Sequence, residues 1–230
     1  MPAMWCRKKT RGGIFPSRQY LRQCMTKQSP VTRFGLLRHA MTEWNREKRI
    51  QGQTDTPLSP FGERQAGEWG YALKASRWTR ILVSDARRAL GTAARINAVL
   101  DVPMEGDPRL REQDWGEWTG KTIPQLKQEA PLLLAEQEKA GWNFCPPGGE
   151  DRLTVLDRSL KAIAGACEKW GGERILVVTH EGVIKCLLYD LCGCRFLPEE
   201  PAMIRPRSLH WLIHDQHGLR IEKMNAFTLP

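Results

Sequence analysis

An Arg-His pair at positions 38 and 39 closes a short apolar run, Phe34-Gly35-Leu36-Leu37, and Asn45 follows the arginine by seven residues. An unbroken apolar run of about four or five residues suits a strand buried on both faces of a parallel sheet, and open α/β sheets bind ligands at the carboxyl ends of such strands. Two further strand-like runs end in similar chemistry: residues 80–84 lead into Ser84-Asp85-Ala86-Arg87-Arg88 at a helix start, and residues 174–179 lead into His180-Glu181-Gly182. If the three strands are parallel neighbours, two histidines and at least two arginines meet on one sheet edge. Guanidinium forks and free N–H groups at helix N-termini both match phosphate oxygens, so the constellation predicts a pocket for a phosphate dianion.

The frame that must bring these residues together is legible as alternating strand-like and helix-like segments, the pattern of an α/β fold. It predicts a three-layer α/β/α sandwich with a mainly parallel central sheet. Predicted strands cover 34–38, 80–84, 174–179, 208–214 and 219–223, the last two joined by the turn-rich 214–218 segment as a terminal hairpin. Ser59-Pro60 is an N-cap and first-turn signal, after which Ala66, Trp69 and Leu73 share a helical face. Two more apolar stripes run through Ala89, Ala93, Ile96 and Leu100, and through Leu153, Leu156, Leu160, Ile163, Cys167 and Trp170. Residues 122–142 look helical but break at Pro131; with the Cys145-Pro146-Pro147-Gly148-Gly149 loop they form an excursion expected to act as a lid and to supply the walls that choose the leaving group.

Charge and cysteines narrow the class. The chain of 230 residues has a net charge of +9, but residues 1–30 carry seven Lys and Arg and no Asp or Glu, leaving about +2 for the remainder. The basic character thus belongs to an N-terminal extension, residues 1–31, read as a disordered or misassigned start with Met25 a candidate initiator; the body, 32–230, gives no reason to expect a nucleic-acid partner. No stretch approaches the roughly 18 apolar residues of a membrane span. Seven irregularly spaced cysteines suit reduced thiols and a cytoplasmic location. Cys192-Gly193-Cys194 and the pair His210 and His214 do not make a zinc site, because the cysteine spacing is too short and the histidines would stand about 13 Å apart along a strand.

Six segments in register identify a family resemblance: LLRHAMTEWN (36–45), RIQGQTDTPLSPFGERQA (49–66), SDARRALGTA (84–93), LREQDWGEWTG (110–120), PPGGED (146–151) and VVTHEGVIKCLL (177–188). They resemble the histidine phosphatase superfamily, which includes cofactor-dependent phosphoglycerate mutases, the bisphosphatase of fructose-2,6-bisphosphate and α-ribazole phosphatases. The resemblance implies a phosphoglycerate mutase-like fold and a phosphatase for a small phosphorylated metabolite, leaning toward the α-ribazole phosphatase branch, with no cofactor or metal. It implies His39 as the nucleophile that becomes a phosphohistidine, Arg38, Arg88 and His180 as holders of the phosphate oxygens, and Asn45 with the Gln51-Gly52 backbone as further phosphate-side groups. Glu112 would donate a proton to the leaving oxygen and then activate water.

Arg87 is the rival to Arg88 and is read as a solvated neighbour; Arg158 is read as a structural anchor of the sheet edge, and Trp115 and Trp118 as packing residues, one of them a possible pocket wall. The alternatives are phosphoglycerate mutase-type transfer and, from another class, a non-catalytic phosphate- or nucleotide-binding protein. The chain has a short segment after Glu112 where mutases carry a long insertion, which favours hydrolysis. Two residues depart from the family pattern. Ala40 replaces a glycine and would be strained only at positive φ; Glu181 replaces another and is expected to raise the pKa of His180 or to repel an acidic substrate. Oligomeric state is not predicted.

Overall fold

The computed structural model describes residues 30–229, so residues 1–29, with Met25 and nearly all of the basic extension, lie outside the described residues. The sheet has six strands: β1 (Thr32–Arg38), β2 (Arg80–Val83), β3 (Met104–Gly106), β4 (Arg174–Thr179), β5 (Ser208–Asp215) and β6 (Gly218–Thr228). Their spatial order is β3-β2-β4-β1-β5-β6. The first four run parallel to one another, and β5 and β6 complete the sheet as an antiparallel hairpin. The mainly parallel sheet is therefore as expected, while β3 is an addition; its Met-Glu-Gly sequence is exposed throughout and carries no apolar pattern.

Alternation along the strands builds two cores. In β4, Ile175 and Val177 face one side with Phe34, Leu36 and Leu82, whereas Leu176 and Val178 face the other with Leu37, Ile81 and Val83. The first face is covered by α6 (Arg152–Trp170) and α7 (Glu181–Cys192), the second by α2 (Pro60–Leu73) and α3 (Arg87–Leu100). This is the three-layer arrangement. The predicted stripes are the buried faces: Trp69 and Leu73 on α2, Ala89, Ala93 and Ile96 on α3, Leu156, Leu160 and Ile163 on α6. Ser59 caps α2 by accepting the Gly62 N–H at 3.0 Å, with Pro60 in the first turn, and Asp151 caps α6 by accepting from Thr154 at 2.8 Å.

A short helix α1 (Glu43–Arg46) follows β1, and the excursion holds α4 (Ile123–Glu129) and α5 (Pro131–Lys139), separated at Ala130 because the next residue is proline. Trp118, Leu126, Leu134 and Phe144 give the excursion a small core of its own. No helix among the described residues is long and apolar enough to cross a membrane.

Candidate active site

Register places the chemistry. Arg38 in β1 pairs with Thr179 in β4, and Val83 in β2 pairs with Val178, so His39, His180 and Ser84 leave adjacent strands at the same level. The rings of His39 and His180 lie 5.2 Å apart. Nδ1 of His39 is 2.8 Å from the carbonyl oxygen of Ala40. A carbonyl can only accept, so Nδ1 carries the proton and Nε2 keeps its lone pair. Burial first, then the charges of Arg38 and Arg88, hold the His39 pKa well below its ordinary value, which keeps the imidazole neutral. Ala40 is not among the positive-φ residues, so its side chain is accommodated without strain.

His180 is fully buried beneath His39 and does not line the cavity described below. Its Nε2 is 2.8 Å from Ser84 Oγ, and its Nδ1 has no hydrogen-bond partner among the described residues. Burial, His39, Arg88 and Arg38 push its pKa well down. The expectation that Glu181 raises the His180 pKa is thus corrected: the Glu181 carboxylate pairs instead with Arg38, and with Lys185 at 2.6 Å.

Arg88 is buried and lines the cavity described below, whereas Arg87 is exposed and does not. Arg88 donates to the carbonyls of Thr54 and Gly52, both at 2.7 Å, and its Nε is a second buried atom without a partner among the described residues. Gly52 adopts φ +51°, a region that favours glycine. Asn45 and Gln51 are oriented by their oxygens: Thr42 N–H donates to Asn45 Oδ1 at 3.0 Å, and the Thr42 and Thr56 hydroxyls donate to Gln51 Oε1. With those oxygens engaged, each amide nitrogen is left as a donor.

Glu112 reaches the same space from the segment after β3. Its Oε1 accepts from Gln113 N–H at 2.9 Å and its Oε2 from Gly182 N–H, in the first turn of α7, at 3.2 Å. Arg158 fixes the segment: it pairs with both carboxylate oxygens of Glu150 at 2.7 and 2.8 Å and donates to the carbonyls of Arg109, Arg111 and Glu112. All five of its N–H groups are used. Its role is structural, as expected, but what it anchors is the backbone that carries Glu112.

Arg38, His39, Asn45, Gln51, Gly52, Arg88 and Glu112 share one cavity of about 280 Å³. Its outer walls are Ile50, Trp115, Arg152, Lys185, Cys186 and Phe196, with Arg152 the one contribution from the start of α6. No residue of 122–150 lines it, so the excursion is not the wall the sequence suggested; its small core packs behind Trp115 instead. Sequence reasoning also missed Ser84, Gly182, Arg152 and Phe196 as site residues. Gly182 stood within a recognised segment, whereas Phe196 follows α7 in a stretch with no periodic signal.

A family model described as histidine phosphatase superfamily (branch 1) matches residues 34–226. The glucosyl-3-phosphoglycerate phosphatase of Mycolicibacterium vanbaalenii is 37% identical over 171 residues, 71% of this chain and 75% of that protein. The probable phosphoglycerate mutase GpmB of Salmonella choleraesuis is 33% identical over 174 residues, 76% of this chain and 81% of the relative. Among solved structures, Bacillus stearothermophilus YhfR superimposes with a TM-score of 0.78 at 30% identity, covering 86% of this chain and 98% of that one. An Escherichia coli protein described as an α-ribazole-5′-phosphate phosphatase superimposes with a TM-score of 0.74 at 24% identity, covering 86% and 98%, which is a likeness of fold alone.

Proposed function

The chain belongs to the histidine phosphatase superfamily, and on that premise we propose that His39 carries the phosphoryl group between a small phosphorylated metabolite and water. The enzyme is a phosphoric monoester hydrolase. In the proposed first step the Nε2 lone pair attacks phosphorus as the bond to the leaving oxygen breaks, and Glu112 gives that oxygen a proton. In the second, Glu112 takes a proton from water, the water oxygen attacks phosphorus, and the phosphorus–nitrogen bond breaks to release inorganic phosphate.

One observation carries this assignment: a buried, neutral imidazole whose Nδ1 is committed to Ala40, beside two guanidinium groups that meet charge on the equatorial oxygens. The amide donors of Asn45 and Gln51 on the cavity wall support a phosphate position beside His39, whereas His180, buried outside that cavity, packs against the His39 ring and is not placed to hold a phosphate oxygen directly. A non-catalytic binding protein would not need a carboxylate held by two backbone N–H groups next to the histidine.

The family-model match over 34–226 supports taking residues 32–230 as the phosphatase domain and residues 1–31 as an extension outside it. The cavity, about 280 Å³, suits a small metabolite, and the cysteine pattern favours the cytoplasm. The mutase reading is favoured by the GpmB relative. Incubating the purified protein with a panel of phosphorylated metabolites in EDTA, with a parallel assay for a rearranged phosphoester, decides between them. Inorganic phosphate from several substrates is the expected product; a rearranged ester without phosphate release would replace hydrolysis by mutase transfer, and dependence on added metal would remove the proposed mechanism.

A further inference from the structure

Five cationic side chains line the cavity: Arg38, Arg49, Arg88, Arg152 and Lys185. Three of them already face a carboxylate, Arg38 and Lys185 through Glu181 and Arg49 through Glu47. Arg88 and Arg152 make no ion pair among the described residues, and they are built alike. Arg88 is held by the carbonyls of Thr54 and Gly52, Arg152 by those of Gly141 at 2.9 Å and Phe196 at 3.4 Å. Each is a guanidinium anchored through neutral oxygens on a cavity wall, with carboxylates near enough to favour its charge, Glu112 and Asp55 for Arg88 and Glu138 for Arg152, but none in direct contact among the described residues.

Arg152 is also costly in its place. Its guanidinium carbon stands 4.1 Å from the ring centres of both Phe144 and Phe196, and burial lowers its pKa to about 10. Phe196 sits at φ +66°, a conformation that a bulky side chain adopts only when its surroundings hold it there. Those surroundings are the rings of Tyr189, 4.6 Å away, and Trp142, 4.9 Å away. A residue needed only for packing could be neutral and avoid the desolvation of a charge. A guanidinium on the cavity wall with no carboxylate in direct contact among the described residues fits a ligand that brings the contacting anion with it.

Resting on the phosphatase reading of the same site, we infer that Arg152 binds a second anionic group of the substrate. The preferred substrates are small phosphomonoesters that also carry a carboxylate or a second phosphate: the reacting phosphate lies at Arg38 and Arg88, and the other anion at Arg152. The stacked rings hold the guanidinium fork in one orientation for a bidentate partner.

Matched substrate pairs test this. 3-Phosphoglycerate and glycerol 3-phosphate differ by a carboxylate, fructose 1,6-bisphosphate and fructose 6-phosphate by a phosphate. The wild-type enzyme is expected to favour the more anionic member of at least one pair by about tenfold or more in kcat/KM, the scale of one charge-assisted contact. Arg152→Gln should collapse that ratio, and Arg152→Lys should retain part of it. Which pair shows the preference identifies the anion. Equal kcat/KM within both pairs for the wild type, or an Arg152→Gln variant that loses activity on both members equally and keeps the ratio, overturns the assignment. Hydrolysis of all four substrates without discrimination removes only the second-anion site, whereas no hydrolysis of any of them removes the phosphatase reading and this inference together.

Discussion

Gly182 and Glu112 share one small space. The Gly182 N–H donates to Oε2 of Glu112 at 3.2 Å, and a β-carbon on that glycine would stand 2.3 Å from Oε1. The backbone conformation of Gly182 is an ordinary one, since it is not among the positive-φ glycines. What requires glycine here is the close approach of the carboxylate, and in the proposed mechanism that carboxylate is the acid.

Gly182→Ala is therefore expected to separate stability from activity. Alanine is the better helix former, by about 0.5–1 kcal/mol, and should leave the melting temperature unchanged or slightly raised. Displacement of Glu112 should lower kcat by about tenfold or more. Thermal melts and steady-state kinetics on one preparation check both halves; a variant with full kcat would show that the position of Glu112 is not critical.

Glu112→Gln cannot supply the proton, and the loss should depend on the leaving group. An alkyl phosphate, whose departing oxygen needs a proton, is expected to slow by about 100-fold or more, and p-nitrophenyl phosphate, whose phenolate leaves unaided, by much less. Equal losses on the two substrates would assign Glu112 a role other than acid.

In the proposed mechanism Glu181, paired with Arg38, competes with the substrate phosphate for that guanidinium. Burial pushes its pKa up, but Arg38 and Lys185 outweigh burial and hold it below the usual carboxylate range, so its negative charge persists on the cavity wall. Both arginine and carboxylate are partly solvated, which limits the effect. Glu181→Gln should lower KM for p-nitrophenyl phosphate by about two- to fivefold at low ionic strength, with the gain fading in salt. An unchanged or higher KM would mean that Glu181 orients Arg38 rather than blocking it.

Three buried histidines also set a pH dependence of stability. His39 and His180 are held well below 6.5, and burial lowers His210 to about 4, so below pH 6.5 the unfolded chain binds protons that the folded protein refuses. Their contribution is complete above about pH 6.5 and is lost as pH falls toward the depressed values. Urea midpoints should be level between about pH 7.5 and 6.5 and fall by pH 5.5, before the carboxylates with lowered values, Glu181 and Glu173, begin to protonate. His180→Gln should reduce that slope. A flat midpoint down to about pH 5 would contradict the burial of these neutral imidazoles.

Strands β1, β2 and β4 were legible because burial on both faces leaves an apolar run, and the polar residues that follow each run marked the site. The hairpin and three of the four long helices, α2, α3 and α6, were legible from turn chemistry and 3.6-residue stripes. Strand β3 was not, since three exposed residues at a sheet edge are held by main-chain pairing that no side-chain pattern records. Arg38, His39, Asn45, Gln51, Gly52, Arg88 and Glu112 could be picked from local segments and meet in one cavity. Of the outer wall only Trp115 was anticipated, as one of two tryptophans read as packing residues with one able to wall the pocket; Ile50, Arg152, Lys185 and Phe196 come from four further parts of the chain, and only the folded geometry joins them. Arg158 reads as a structural anchor in the sequence, but which backbone it anchors is not legible there, because its partners, the carbonyls of 109, 111 and 112, are nearly fifty residues away.

The central claim is that His39 forms the bond to phosphorus, and the most direct measurement is turnover of p-nitrophenyl phosphate by His39→Ala. This substrate needs little help from Glu112, so the nucleophile is tested almost alone. A fall in kcat of at least about 1,000-fold with the fold retained is expected; turnover within a few-fold of the wild-type enzyme would contradict bond formation at His39.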